Sequence, residues 1–332
     1  MTMTASRPAE APAAPRRWPR LLLPTAMAGL VLYLVTTGVT AQPYGLSILT
    51  SAMIFGLYAA GVDMSWGHGG ILMLGSALFF GLGAYGMAYA ITNDIEPLVA
   101  YPIVLACSVL LGLLIAYVGF RSRAAQIQFG LIGLAVALAF QRLAVSAYDL
   151  TGGSNGLTGV TGPSIAGVEL TDTRAYYFFV LTVTSVIALG LWWIQRSAWG
   201  DAVRAIRDDR DRAESLGYPV NAIRYQVVAI SAAVVTTAGA LFPSVSGTAY
   251  PELFGIAFNM QALVWVAIGG GGTLFGPLLL AFGLTVSQSY LAGVSVDYYL
   301  LVIGVLFVVT VVAAPQGIGG LVRDAIRKVA RR

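Results

Sequence analysis

Apolar residues in this chain come in blocks of about twenty, too long and too uniform for the alternating strands of an outer-membrane barrel. Ten blocks can be drawn, at 21–39, 44–62, 69–91, 98–120, 127–148, 175–195, 225–243, 253–270, 274–293 and 297–314. Each is long enough for a helix to cross a hydrocarbon layer about 30 Å thick. The pattern predicts an all-α membrane protein, a polytopic bundle of about ten transmembrane helices. Two regions break the pattern with glycine: 44–91, at Gly67, Gly69 and Gly70, and 253–293, at the run Gly269 to Gly272. Glycine interrupts a helix cheaply and lets backbones approach closely, so either region can hold a half-helix or a re-entrant segment.

Composition agrees, with 58% hydrophobic and 10% charged residues against about 25% charged in soluble domains. Charge placement then orients the bundle. With the N-terminus in the cytoplasm, every Lys and Arg falls on the cytoplasmic side except Arg174, which lies outside, and Arg142, which lies within a block. Both termini are then cytoplasmic. Residues 1–20 read as a disordered tail, 21–318 as the transmembrane domain with a cytoplasmic loop at 196–224, and 319–332 as a basic tail. Leu21–Val39 fits an uncleaved first helix better than a signal-peptide core ending near Ala41, because the run is long. The net charge of +4 follows from this topology and carries no sign of nucleic-acid binding.

Absences narrow the chemistry. The single lysine, Lys328, is followed by Val329, so no phosphate-binding Gly-x-x-x-x-Gly-Lys-Ser/Thr loop exists and ATP is not hydrolysed on such a loop here. One cysteine, Cys107, and one histidine, His68, leave no disulfide and no Cys/His metal cluster, and no catalytic constellation or cofactor site is visible. The acidic residues fall in tails, loops or at block ends, which disfavours a proton-coupled carrier. What remains is a passive channel, a structural subunit or a conduit driven by a separate motor.

The motor reading is favoured by a charged island. Nine of the 34 charged residues (19 basic plus 15 acidic) lie between Asp201 and Glu214. At mid-membrane each would cost about 2.5–3.5 kcal/mol, so the segment belongs in water. From Trp199 to Leu216 it reads as one short helix with Ala202, Ile206, Ala213 and Leu216 on an apolar stripe, closed by Gly217 and Pro219. The plainer alternative is a solvated loop.

The island also carries a resemblance. Gly200-x-Ala-x-Arg-Ala-Ile-Arg207, followed by Arg212-Ala-x-x-Leu-Gly-Tyr218 and the pair Arg224-Tyr225, is similar to the cytoplasmic loop of branched-chain amino acid ABC transporter permeases. The likeness extends over Gly67–Gly86, the loop Thr151-Gly-Gly-Ser-Asn-Gly-Leu157, the stretch Gly269-Gly-Gly-Gly-Thr-Leu-Phe-Gly-Pro277 and the ending Pro315-Gln-Gly-Ile318. The Thr151–Leu157 loop and the Pro315-Gln-Gly ending resemble those of the M-type subunit. It implies an importer in a bacterial inner membrane. Two cytoplasmic ATPases would drive two permease subunits, this one paired with an H-type partner, and a periplasmic binding protein would deliver the solute. Arg212, Ala213, Glu214, Ser215, Leu216 and Gly217 would form the coupling helix against an ATPase, with Arg204–Asp211 as its solvated approach. The cargo would be branched-chain or related amino acids, with urea, amides or aromatic acids as alternatives.

Other polar positions are candidates for the pathway: Gln141, Arg142, Asn259, Gln261, Ser287 and Gln288. Arg142 either attracts a carboxylate or snorkels outward or pairs with Asp149. His68, Ser76, Gly269 and Gly270 are candidates for a helix break or gate. Ser76 stands where the resembled family often has histidine, in Met73-Leu-Gly-Ser-Ala77, and His68 is read as an interfacial cap. Asn155 and Gly156 are candidates for meeting the binding protein.

Overall fold

The computed structural model describes residues 34–39, 42–121, 126–165 and 168–291. The expected tails at 1–20 and 319–332 and the tenth block lie outside these residues, as does most of the first block, of which 34–39 are helical within a separate unit, Met1–Thr40. Blocks two to nine each become a helix. These are α1 Pro43–Asp63, α2 Ser76–Thr92, α3 Pro97–Arg121, α4 Gln126–Ser146, α5 Thr173–Gln195, α8 Val220–Leu241, α9 Ile256–Gly269 and α10 Phe275–Leu291. The charged island forms α6 Ala198–Asp208 and α7 Arg210–Ser215. Among the described residues, five helical stretches are long and apolar enough to cross a membrane: Pro43–His68, Pro97–Phe120, Gln128–Ser146, Thr173–Gln195 and Val220–Ser246. The helices α2, α9 and α10 are apolar but shorter.

Two helices form the centre. In α1 and α8 the apolar windows are 72% and 78% buried, against 22–33% in α3, α4 and α5. The outer helices instead expose Leu98, Ile103, Leu110, Leu114, Leu143, Val186 and Trp193, an apolar surface suited to lipid. Against lipid there is little hydrophobic gain in bringing helices together, so close packing of small residues must do it. Gly61 of α1 meets Val235 of α8, and the Ser231 hydroxyl donates to the Gly61 carbonyl at 2.7 Å. Between α2 and α8 the backbones nearly touch: a methyl at Gly83 would overlap the Thr236 carbonyl, and one at Gly239 would overlap the Phe80 carbonyl.

The third block departs from a clean span. After α1 the chain makes one π-helical turn, Met64–His68, then leaves helical geometry from Gly70, at φ +64°, until α2 begins at Ser76. The unwound stretch is buried at Ile71, Met73 and Gly75 and lies against a glycine face of α4, where a methyl at Gly75 would overlap the Gly133 backbone. At the end of the bundle away from the island, Leu157–Thr158 pairs antiparallel with Thr248–Ala249, and Ser164–Ile165 with Val168–Glu169. The Thr151 hydroxyl donates to the carbonyls of Ala144 and Ala147, at 2.6 and 2.7 Å, and so ties the following loop to α4.

The α2–α8 contact makes a direct test. Gly239→Val should lower stability by about 3 kcal/mol, the upper end of the overpacking range. Gly190→Ala, at an exposed helical glycine with nothing within 4 Å, should be neutral or slightly stabilising. Thermal unfolding of the two purified variants distinguishes the sites.

Candidate functional site

The island is two helices and not one. Ser197 caps α6 by accepting the Gly200 N–H, and Ala202, Val203 and Ile206 are buried on the bundle. Asp209 then takes an extended conformation (φ −154°, ψ 105°) and accepts the Arg212 N–H at 3.0 Å, ending α6 and capping α7. A short carboxylate that can bond its own backbone competes with helix continuation, which is why the expected single helix breaks here. The expected stripe divides accordingly. Ala202, Ile206 and Ala213 face inward, while Leu216 is 71% exposed beside Tyr218 at 41%. Gly217 closes α7 at φ +86°, and Arg212, Glu214 and Ser215 are exposed.

The expectation that Arg204–Asp211 is only a solvated approach is therefore corrected. The Arg204 guanidinium donates to the Gln195 carbonyl at 2.9 Å and pairs with Asp201. Arg207 reaches further, donating to the Gly67 carbonyl while its stem runs alongside Gly70. A side chain at Gly70 would collide with that stem, with a methyl only 2.9 Å from the Arg207 Cγ.

Under Arg207 lies the one acidic group of α1. Asp63 is fully buried. Its Oδ1 accepts the Gly272 N–H at 2.6 Å, and its Oδ2 accepts the Leu274 N–H at 3.0 Å and lies 3.1 Å from His68 Nδ1. A buried carboxylate without partners costs several kcal/mol, so these bonds decide the local fold. They hold the turn between α9 and α10, including Leu274 at φ +59°, a conformation that costs a non-glycine residue about 1–3 kcal/mol. With Nδ1–H donating to Asp63, the Gln195 amide, 3.3 Å from the same nitrogen, is best turned to offer its oxygen. His68 is thus a buried link and not the expected interfacial cap. Gly269 and Gly270 belong to the same turn, where a methyl at Gly269 would lie 2.5 Å from the Pro277 nitrogen.

A second polar cluster sits at the start of α2. The Ser76 hydroxyl donates to Asn259 Oδ1 at 2.7 Å, and the Ala77 N–H to the same oxygen at 3.3 Å. The Tyr58 hydroxyl lies 3.2 Å from the Ser76 oxygen and can donate to it. Both Ser76 and Asn259 are fully buried. The Ala77 N–H can only donate, so it settles which way the Asn259 amide points. That leaves Nδ2 buried with no acceptor among the described residues, at a cost of about 1–3 kcal/mol. Around the cluster, rings from four elements meet: Phe55 and Tyr58, Phe80, Phe242, and Phe258 with Trp265. Phe258 stacks on Tyr58 at 5.1 Å and meets Phe80 edge-on at 4.9 Å.

The remaining candidates do not converge on it. Gln141 is half-buried near Gly255, Gln261 is half-buried on α9, Ser287 is exposed and Gln288 half-buried on α10. Arg142 and Asp149 are both exposed, and no ion pair joins them among the described residues. Asn155 is exposed and Gly156 buried against Ala249. Residue-level reading missed Asp63, Gln195 and the role of Arg207. The available signal was the spacing of Asp63 and the sole histidine, five residues apart beside Gly67. At the far end an apolar cavity of about 260 Å³ and a polar one of about 130 Å³ share Tyr176 and Ser244. No group of three metal-ligating side chains occurs among the described residues.

Comparison with known proteins bears on what this arrangement serves. A sequence model described as the branched-chain amino acid transport system / permease component matches residues 44–311. The high-affinity branched-chain amino acid transport system permease protein LivM of Salmonella typhimurium is 27% identical over 93% of this chain and 80% of its own length, and LivM of Escherichia coli matches to the same extent. The autoinducer 2 import system permease protein LsrC of Enterobacter sp. is 31% identical over 32% of each chain. No solved structure matches.

The buried carboxylate is open to test. Asp63→Ala should cost about 3–5 kcal/mol by freeing the Gly272 and Leu274 N–H groups and His68, and Asp63→Asn should cost less because one amide oxygen still accepts. Thermal unfolding of the purified permease would measure both, and an Asp63→Ala protein as stable as the parent would show that the turn holds without it.

Proposed function

The chain belongs to the branched-chain amino acid transport system permease family, and from that membership we propose that it is one transmembrane subunit of an ATP-binding-cassette importer. Its cargo is branched-chain or related amino acids, and ATP is hydrolysed on partner chains. The observation that carries this reading is the build of the island. One helix, α6, is fastened into the bundle through Arg207 and Gly67, while the next, α7, turns Leu216 and Tyr218 outward. An exposed leucine and tyrosine on a short, capped and otherwise charged helix suit a cleft on a soluble partner. The rigid connection through α6 suits the transfer of that partner's motion.

On this reading the island end faces the cytoplasm of a bacterial cell, as the distribution of Lys and Arg supports, and two ATPase subunits dock there. A second, H-type permease completes the pathway. The loop Thr151–Leu157, with Asn155 exposed at the far end, meets a periplasmic binding protein. Movement of α7 pulls α6, and Arg207 carries the pull to the backbone at Gly67. There the Asp63 junction joins α1 to the turn before α10, and the unwound stretch leads on to α2. Urea, amides and aromatic acids remain alternative cargoes, since the binding protein largely chooses the solute. A passive channel or a proton-coupled carrier would have no use for α7's outward face. Uptake into vesicles that continues without ATPase subunits would establish one of these instead.

Replacing Glu214 with Ala and Leu216 with Lys tests the docking face, because both side chains are exposed and neither supports the fold. In cells co-expressing the ATPases and binding protein, uptake should fall at least tenfold while membrane insertion and melting temperature stay unchanged. Normal uptake would remove α7 from the mechanism.

A further inference from the structure

We propose that the seam between α3 and α5, at the end of the bundle away from the island, is a slot for one acyl chain of a membrane phospholipid, whose ester carbonyl is held by the Ser244 hydroxyl. Three observations meet there: the length of a cavity, the chemistry of its lining and a buried hydroxyl that makes no hydrogen bond.

The length is set by α5. Tyr176, Phe179, Val183 and Ile187 recur at helical spacing and line the apolar cavity of about 260 Å³. Between Tyr176 and Ile187 the helix rises about 16 Å, against about 15 Å for one leaflet of a hydrocarbon layer about 30 Å thick. Leu98 and Tyr101 of α3 and Ala240 of α8 also line it. The two flanking helices are lipid-facing: Leu98 and Ile103 of α3 and Val186 of α5 are exposed. What surrounds the seam is therefore hydrocarbon.

The lining selects the occupant. The Tyr101 and Thr237 hydroxyls bond each other at 2.8 Å, and Thr237 passes its own proton to the Ala233 carbonyl at 2.7 Å. With those two groups satisfied, the wall is apolar. An apolar cavity does not take up water, and left empty its lining forfeits dispersion contacts. No charged side chain lines this cavity or its polar neighbour, which disfavours a zwitterionic amino acid or a free carboxylate. An alkyl chain from the surrounding lipid fits both the length and the wall.

The hydroxyl fixes where the chain ends. The polar cavity of about 130 Å³ is lined by Ser47, Thr50, Thr171 and Thr173, and it shares Tyr176 and Ser244 with the slot. Thr50 donates to the Leu46 carbonyl and Tyr176 to the Leu241 carbonyl, each at 2.7 Å. The buried Ser244 oxygen, by contrast, makes no hydrogen bond among the described residues. An ester carbonyl, which can only accept, completes Ser244 where the two cavities meet, and the glycerol part lies among the hydroxyls beyond. The slot also bears on motion. Helix α5 leans on α1 and runs through Arg196 and Ser197 straight into α6. A fluid chain in the seam lets α5 shift against α3 and α8, where close-packed side chains would lock it.

Phosphatidylethanolamine with a diazirine midway along one acyl chain would be photolysed in nanodiscs holding the full-length permease, and its adducts mapped by peptide mass spectrometry. Thr237, Ala240 and Leu241 are buried on a central helix, so a lipid probe reaches residues 237–241 only from inside the slot. Label there should match that at Leu110 and Leu114, which are exposed on α3. Val183→Trp, which fills the slot, should cut the label at 237–241 at least fivefold and leave Leu110 and Leu114 unchanged. Ile187→Trp should do the same from the deeper end if the first variant fails to fold. Ser244→Ala should cut the label at least twofold at unchanged melting temperature. No label at 237–241, or a label that the tryptophan variants or Ser244→Ala leave intact, would overturn the proposal. So would a label seen in the permease alone and lost in its assembled complex, since a protein chain then covers the seam.

Discussion

A carboxylate buried at the C-terminal end of a central helix must be satisfied by the chain around it, and Asp63 sets that demand for this fold. Two N–H groups of a glycine-rich turn and one imidazole nitrogen answer it. Only a backbone free to take positive φ can bring those N–H groups together, which explains why Gly270 and Gly272 lie there. The close approach of Gly67 to the same carboxylate leaves no room for a side chain on that residue. The π turn, the unwound stretch and the seat of Arg207 all lie within a few residues of this junction. Removing the charge would release the turn before α10 and the His68 side chain from the end of α1.

The bundle combines two kinds of packing. Around α1 and α8 it is tight, made by small residues whose backbones nearly touch, and such contacts move as rigid units or not at all. At the two breaks the chain gives up helical hydrogen bonds and keeps its polar groups in protein surroundings, the one circumstance in which irregular backbone is tolerated at membrane depth. Rigid helices joined at polar breaks suit a permease, because motion is confined to the joints. On the proposed reading, force enters at α7 and passes through α6 to the Asp63 junction, from which the unwound stretch leads on to α2.

Much of this was legible in the sequence. Apolar length alone located eight helices among the described residues to within about five residues, because lipid requires it, except that α2 begins seven residues later than its block, and the glycines marked both breaks. The island's amphipathic character was also readable, but its division at Asp209 was not, since an aspartate within a charged run looks like any other solvated residue until its carboxylate is seen to cap a backbone. Asp63 escaped for the opposite reason. At the end of an apolar block an acid ordinarily faces water, and only the fold reveals that a turn more than two hundred residues away folds over it. The pairing of Ser76 with Asn259 is likewise a long-range contact between residues that are unremarkable by themselves. Arg142, by contrast, looked important as a charge within an apolar block, yet it lies exposed near the end of α4, where a long side chain reaches the interface.

The central claim is that α6 and the glycine-rich turn move as one body because both are fastened at the Asp63 junction. Spin labels at Asp208 and Gly271, both exposed, with a third at Asn155 at the far end and Cys107 replaced by Ser, would follow this in the reconstituted complex. Between nucleotide-free and ATP-trapped states, the separation of 208 and 271 should stay constant while that of 208 and 155 changes. A separation of 208 and 271 that changes with nucleotide would mean that α6 slides over the junction, and would contradict the account.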